Sequence, residues 1–250
     1  MIAPEPKRVL IIRLSAIGDV VFASPLVAAC KKRYPEAEIE WLAEEVVRPL
    51  LTELPGLNKV ILWPRQEWQD LWREKRIFAL LSAVVAFRQK LRKRNYDLVI
   101  DAQGLAKSAF LAWLTGSRHR VGFKSKEPNR MFLSDRYEKS ITPRISSEYL
   151  ALADILGWDT FSFDMVLGLS ASDDARAIDV APEGPYVVIT PFTTRPQKHW
   201  TRAHWQELIG RLVDAGHQVA CLGGPGDREK AVTLLNGLPV MNWVGIYPLG

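Results

Sequence analysis

Cysteine is scarce in this chain, with Cys30 and Cys221 the two thiols among 250 residues. Two thiols so far apart give no disulfide framework and no cysteine metal site, and they read as buried thiols of a reducing compartment. Long hydrophobic runs are also missing. The longest, 78–87, is about half the ~20 residues that a membrane-spanning helix needs. The apolar stretch 9–12 is short and runs straight into Arg13, which is not the pattern of a secretory signal peptide. No G-x-G-x-x-G follows the first apolar strand, which sets aside a nicotinamide-dependent oxidoreductase. No G-K-[ST] closes a phosphate loop either, and there are no short-period repeats or low-complexity tracts.

What is present is a globular composition, 48% hydrophobic with mean hydropathy −0.05. The charge is distributed unevenly. Residues 1–150 carry 26 Lys and Arg against 17 Asp and Glu, whereas residues 151–250 carry 7 against 11. The first half is therefore expected to meet something anionic: nucleic acid, acidic lipid or a phosphorylated glycolipid. Within it, residues 65–94 hold nine Lys and Arg and three acids, interleaved with Trp68, Trp72, Phe78 and Phe87. Basic residues beside Trp at the edge of an apolar stretch suit a membrane interface. An amphipathic helix with its aromatics in the core fits the same letters.

Strand signals at 8–14, 39–42, 59–63, 97–102 and 119–123 alternate with helical stretches, the first at 20–34. Such alternation predicts a parallel α/β sheet. A looser segment at 169–185 reads as a linker. A β-α-β-α-β pattern follows, with strands at 186–190, 218–222 and 240–244 and helices at 203–215 and 227–236; it is one mononucleotide-binding half of a doubly wound domain. The expected organisation is a first domain over 1–168, a linker over 169–185, and a partial second domain over 186–250.

Four strand-to-helix turns carry polar groups where open α/β sheets place their ligands. Arg13-Leu14-Ser15-Ala16-Ile17-Gly18-Asp19 ends the first strand, and its Asp19 either caps the next helix or does chemistry. In Asp101-Ala102-Gln103-Gly104-Leu105-Ala106-Lys107-Ser108, Asp101 and Gln103 are candidates for sugar hydroxyls and Lys107 for an anion. Thr193-Thr194-Arg195-Pro196-Gln197-Lys198 offers hydroxyls, a cation and free backbone N–H groups to a phosphate, or is simply a solvated loop. In Gly223-Gly224-Pro225-Gly226-Asp227, glycines let a ligand approach the backbone. Asp227 or Glu229 there can reach ribose hydroxyls or serve as helix caps.

Together the stretches RVLIIRLSAIGDVVFASP (8–25), YDLVIDAQGLAKSA (96–109), KEP (126–128) and TTRPQKHWTRAHWQELIGRL (193–212) resemble the lipopolysaccharide heptosyltransferases of glycosyltransferase family 9, most closely the heptosyltransferase I branch. The resemblance runs over nearly the whole chain in order. It implies an α/β fold of the glycosyltransferase B type, with two Rossmann-like domains, the second incomplete here. The implied reaction is an inverting transfer of L-glycero-D-manno-heptose from ADP-heptose to the Kdo of lipid A, at the cytoplasmic face of the inner membrane. ADP-heptose would be a co-substrate, with no cofactor or metal required and no nucleic-acid partner. The resemblance further implies Asp19 as general base, and Thr193, Thr194 and Lys198 on the donor diphosphate. On this reading the basic first half, with Lys7, Arg13, Lys124 and Lys126 as contacts, would hold the anionic acceptor. Counting along the motif puts Arg228 at the family's acidic ribose position, between Asp227 and Glu229. The family's Asp-Thr-Gly-x-x-His stretch is not among these residues. A non-catalytic acceptor-binding fragment, or another core transferase such as heptosyltransferase II, are the alternatives.

Overall fold

A computed structural model describes residues 5–140, 142, 146–193 and 195–246. The chain divides into two compact units, 1–170 and 171–250.

The first unit is built on six parallel strands: β1 (Arg8–Ile12), β2 (Glu38–Ala43), β3 (Lys59–Leu62), β4 (Leu98–Asp101), β5 (His119–Phe123) and β6 (Asp135–Tyr137). Their spatial order is β3-β2-β1-β4-β5-β6, so the order reverses beside β1. β1 lies between β2 and β4, with Ile11 opposite both Trp41 and Ile100. Successive side chains of a strand point to opposite faces, and the two core layers follow that rule. Val9 and Ile11 enter one layer with helices α1 (Ile17–Ala23), α2 (Pro25–Arg33) and α6 (Ser147–Ile155). Leu10, Ile12 and Leu14 enter the other with α4 (Ile77–Arg92) and α5 (Ala106–Leu114). Burial on both faces is what a near-continuous apolar strand such as RVLII demands.

The helix expected over 20–34 is two helices. Pro25 has no N–H to donate and its ring crowds the preceding turn, so α1 stops at Ala23 and α2 restarts at Pro25. Ser24 at the junction donates from its hydroxyl to the Val21 carbonyl at 2.8 Å and accepts the Val166 N–H at 2.9 Å. β6, whose letters Asp-Arg-Tyr carry no apolar pattern, is an edge strand beyond the sequence reading.

The second unit begins with α7 (Ala171–Val180), a helix inside the stretch read as linker; Asp173 and Asp174 in its first turn suit the helix dipole. Three parallel strands follow in the order β7 (Tyr186–Ile189), β8 (Gln218–Cys221), β9 (Met241–Asn242). They are joined by α8 (Arg202–Asp214) and α9 (Arg228–Leu235). Ile189, Ile209, Val219 and Leu234 lie in its core.

Candidate functional site

In the first unit the polar groups collect at the carboxyl edge of β1 and β4, beside the strand-order reversal. Asp19 sits in the first turn of α1 with its side chain 45% exposed. One carboxylate oxygen, Oδ2, accepts the Ala16 N–H at 3.3 Å and is ion-paired with the Arg13 guanidinium. The sequence reading turns Arg13 toward the acceptor; the structure turns it inward. Its side chain is 8% exposed, and Nη1 donates to the Ala102 carbonyl at 3.4 Å. Trp41, fully buried on β2, donates from its indole to the Arg13 carbonyl at 3.0 Å. A buried cation thus fixes one oxygen of a solvent-facing carboxylate.

The loop after β4 is tied to the loop after β1. Gln103 Oε1 accepts the Leu14 N–H at 2.9 Å. Asp101 is fully buried, and its Oδ1 accepts the N–H groups of Gln103 and Gly104, each at 3.1 Å. Burial raises its pKa to about 6, against the opposing pull of those N–H bonds and of Arg13. Asp101 and Gln103, candidates for sugar hydroxyls in the sequence, are therefore engaged in shaping the loops that carry Asp19. Tyr149 of α6 is buried, with its hydroxyl lacking a hydrogen-bond partner among the described residues. Burial raises its pKa, and Arg13, Glu148 and Asp19 are among the charges acting on it. No local motif marks Tyr149; only the fold brings it to this cluster.

Lys124 and Lys126 occupy the loop after β5, both exposed, with Lys124 paired to Glu138 at 2.6 Å. In the same loop Glu127 accepts the Ala106 N–H at 2.7 Å and so anchors the start of α5. Lys107 stands 3.8 Å from Glu44, which also holds Arg65 at 2.8 Å. Lys7 is not brought to this edge. It precedes β1, where its N–H donates to Asp97 at 2.8 Å, and the length of the strand separates it from Asp19.

In the second unit the loops after β7 and β8 share the corresponding edge. Thr193 Oγ1 accepts the Arg195 N–H at 3.3 Å, and the Thr193 carbonyl meets His199 Nε2 at 2.8 Å. Lys198 ends a short 3₁₀ turn and is exposed. Thr194 lies outside the described residues. Asp227 accepts the Gly224 N–H at 3.1 Å, and Lys230 lies 3.8 Å away. Arg228 turns back to donate to the Gly245 carbonyl. Glu229 is exposed and lines a cavity of about 400 Å³ with Phe192, His199, Trp200 and Trp205. Thr193, Lys198, Asp227 and Glu229 all belong to these two loops or to the first turn that follows.

The profile of the family described as Glycosyltransferase family 9 (heptosyltransferase) matches residues 84–245. The chain is 31% identical to lipopolysaccharide heptosyltransferase 1 of Escherichia coli strain K12, over 96% of this chain and 77% of the relative. It is 28% identical to the protein of the same name from Pseudomonas aeruginosa, over 92% of this chain but 65% of the relative's length. Among solved structures, E. coli heptosyltransferase WaaC with ADP-2-deoxy-2-fluoro heptose superposes with a TM-score of 0.72 and 28% identity, covering 95% of this chain and 75% of that one. A glycosyltransferase of family 9 from Veillonella parvula gives a TM-score of 0.81 at 16% identity, covering 98% and 71%; it speaks to the fold alone.

Proposed function

The chain belongs to glycosyltransferase family 9, and from that premise we propose that it serves an inverting transfer of L-glycero-D-manno-heptose from ADP-heptose to Kdo of lipid A. The donor class is supported by the E. coli relative solved with an ADP-heptose analogue. The acceptor is supported by the relatives' lipopolysaccharide names and by the basic first half of this chain. Lys124 and Lys126, exposed in the loop after β5, are the proposed acceptor contacts. The reaction would take place at the cytoplasmic face of the inner membrane, with the protein bound there peripherally.

One observation carries the reading: Asp19 presents a solvent-facing carboxylate at the carboxyl edge of β1, with one oxygen held by buried Arg13. In an inverting single displacement, the acceptor hydroxyl attacks the anomeric carbon as its proton leaves. The Asp19 oxygen is the base for that proton, a role that typically supplies ~10²–10⁴-fold in rate. Negative charge grows on the departing diphosphate. Lys198, the Thr193 and Thr194 hydroxyls and the loop N–H groups are suited to stabilise it. Asp227 and Glu229 are the candidates for the ribose hydroxyls.

Asp19→Asn keeps the size and the Ala16 hydrogen bond but removes the base. Heptosyl transfer should fall at least ~100-fold while affinity for ADP is retained. Turnover within tenfold of the parent would end the general-base assignment.

A further inference from the structure

The four aromatics of the basic segment are not equivalent in the fold. Trp68 and Phe87 meet edge to face, centroids 5.6 Å apart, on the inner side of α4. Trp72, at the end of helix α3 (Arg65–Arg73), and Phe78 point to solvent, 66% and 89% exposed. Phe78 is the first of an outward row: Leu81 is 56% exposed and Val85 48%, at i+3 and i+7 of the same helix. Residues at this spacing share one side of a helix, so α4 is apolar on both its inner and its outer side. A groove of about 510 Å³ between α3 and α4 joins the row to Trp72 through Leu81. Isolated exposed apolar residues are ordinary; a contiguous row on one helix marks an interaction surface.

The rim of this surface is cationic. Lys75 and Arg76 stand at the amino end of α4, and Lys90, Arg92 and Lys93 at its carboxyl end, all exposed. Three arginines there are otherwise engaged: Arg76 is ion-paired with Glu74 at 3.2 Å, Arg94 is ion-paired with Glu40, and Arg88 lies over the Trp113 ring at 5.8 Å, which leaves Lys75, Lys90, Arg92 and Lys93 to the rim. An apolar helical row with cations at both ends and Trp at the margin complements one surface, the interface of an anionic bilayer. A second copy of this chain fits it poorly, because stacking two such faces sets like charges together. α4 has 16 residues, and no helix among the described residues is long and apolar enough to cross a membrane.

We propose that the outer face of α4, with Trp72, lies in the plane of an anionic bilayer, Phe78, Leu81 and Val85 inserting and Lys90, Arg92 and Lys93 meeting the lipid phosphates. The proposal rests on the peripheral-membrane part of the function above and not on the transferase part.

The test is sedimentation of the whole chain with phosphatidylethanolamine–phosphatidylglycerol vesicles that carry no acceptor sugar, beside pure phosphatidylcholine vesicles. Binding to the anionic vesicles, reduced roughly tenfold or more both by Phe78→Glu with Leu81→Glu and by Lys90→Glu with Lys93→Glu, is the expected result. Circular dichroism melts of both variants should match the parent, because all four side chains are exposed. Cys30 and Cys221 are buried, so a polarity-sensitive dye on Phe78→Cys reports that position alone. Its emission should shift to the blue with anionic vesicles and stay unchanged with phosphatidylcholine. If the chain binds but the paired variants bind equally well, this face is wrong while the peripheral reading stands. If the parent chain ignores anionic vesicles, both fall. A concentration-dependent dimer abolished by Phe78→Glu with Leu81→Glu, without vesicle binding, would reassign the face to self-association.

Discussion

A carboxylate beside a helix start is common, and what distinguishes Asp19 is Arg13. The guanidinium is buried, donates to the Ala102 carbonyl at 3.4 Å and ion-pairs with Asp19, so it orients the proposed base without reaching the solvent side itself. Under the proposed mechanism Arg13→Gln should lower kcat roughly tenfold to hundredfold with the donor KM nearly unchanged, since positioning and not binding is lost. Arg13→Lys should recover part of that loss. Steady-state kinetics with both variants decides it: a KM effect alone would make Arg13 a binding group. Asp101 makes a second prediction at this scale. Burial raises its pKa from 3.8 to about 6, so the folded chain holds this proton more tightly than the unfolded one. Stability is then greatest below pH ~4 for this group and falls as pH rises through 4–6, by roughly 3 kcal/mol in total. Asp101→Asn keeps the acceptor for the Gln103 and Gly104 N–H groups and cannot ionise. Urea unfolding at pH 4.5 and pH 7 should show the variant gaining on the parent as pH rises; parallel behaviour would mean that Asp101 stays ionised.

At the scale of elements, the site depends on how strands hand over to helices. Gly104 has φ +71°, and a Cβ there would stand 3.1 Å from Phe123 Cβ. Gly104→Ala combines a left-handed backbone with a tight contact and should cost about 1 kcal/mol or more. A melting temperature lowered by at least ~2–4 °C is the expected readout, and an unchanged melt would show that the turn relaxes freely. This turn was legible in the sequence because a strand running into Asp-Ala-Gln-Gly has few other ways to proceed. The division of α1 from α2 was legible only in part. Pro25 announces a break, yet Pro is also at home in the first turn of a helix, and the letters do not say whether the chain kinks or stops. α7 is the converse case. Its Ser, Asp and nearby Gly and Pro look like a linker, and none of its residues is buried, so no apolar stripe betrays the helix.

For the whole molecule, two compact units with separate cores imply separate stabilities. The first unit buries two layers against a six-stranded sheet, whereas the second has three strands. With α7 fully outside any core, trypsin should cut early at Arg176 and leave a fragment close to 1–176 that resists further digestion. Mass spectrometry of the time course checks this; simultaneous loss of both units would show that they unfold together. The alternation of strand and helix and the charge asymmetry are properties of the chain itself, because local periodicity and composition carry them. The family was equally legible, since Asp-Ala-Gln-Gly and Lys-His-Trp sit in consecutive letters. What only the tertiary structure decided are pairings between distant segments. Arg13 faces Asp19 and not solvent, Asp101 and Gln103 bind backbone, Lys7 falls at the far edge, and Tyr149 arrives from α6. The basic aromatic stretch likewise fits a core helix or a surface one, until the neighbours of Trp68 and Phe87 fill the inner side and leave Trp72 and Phe78 outside. Burial belongs to the packed set of neighbours, and a single stretch of sequence holds only one side of that contact.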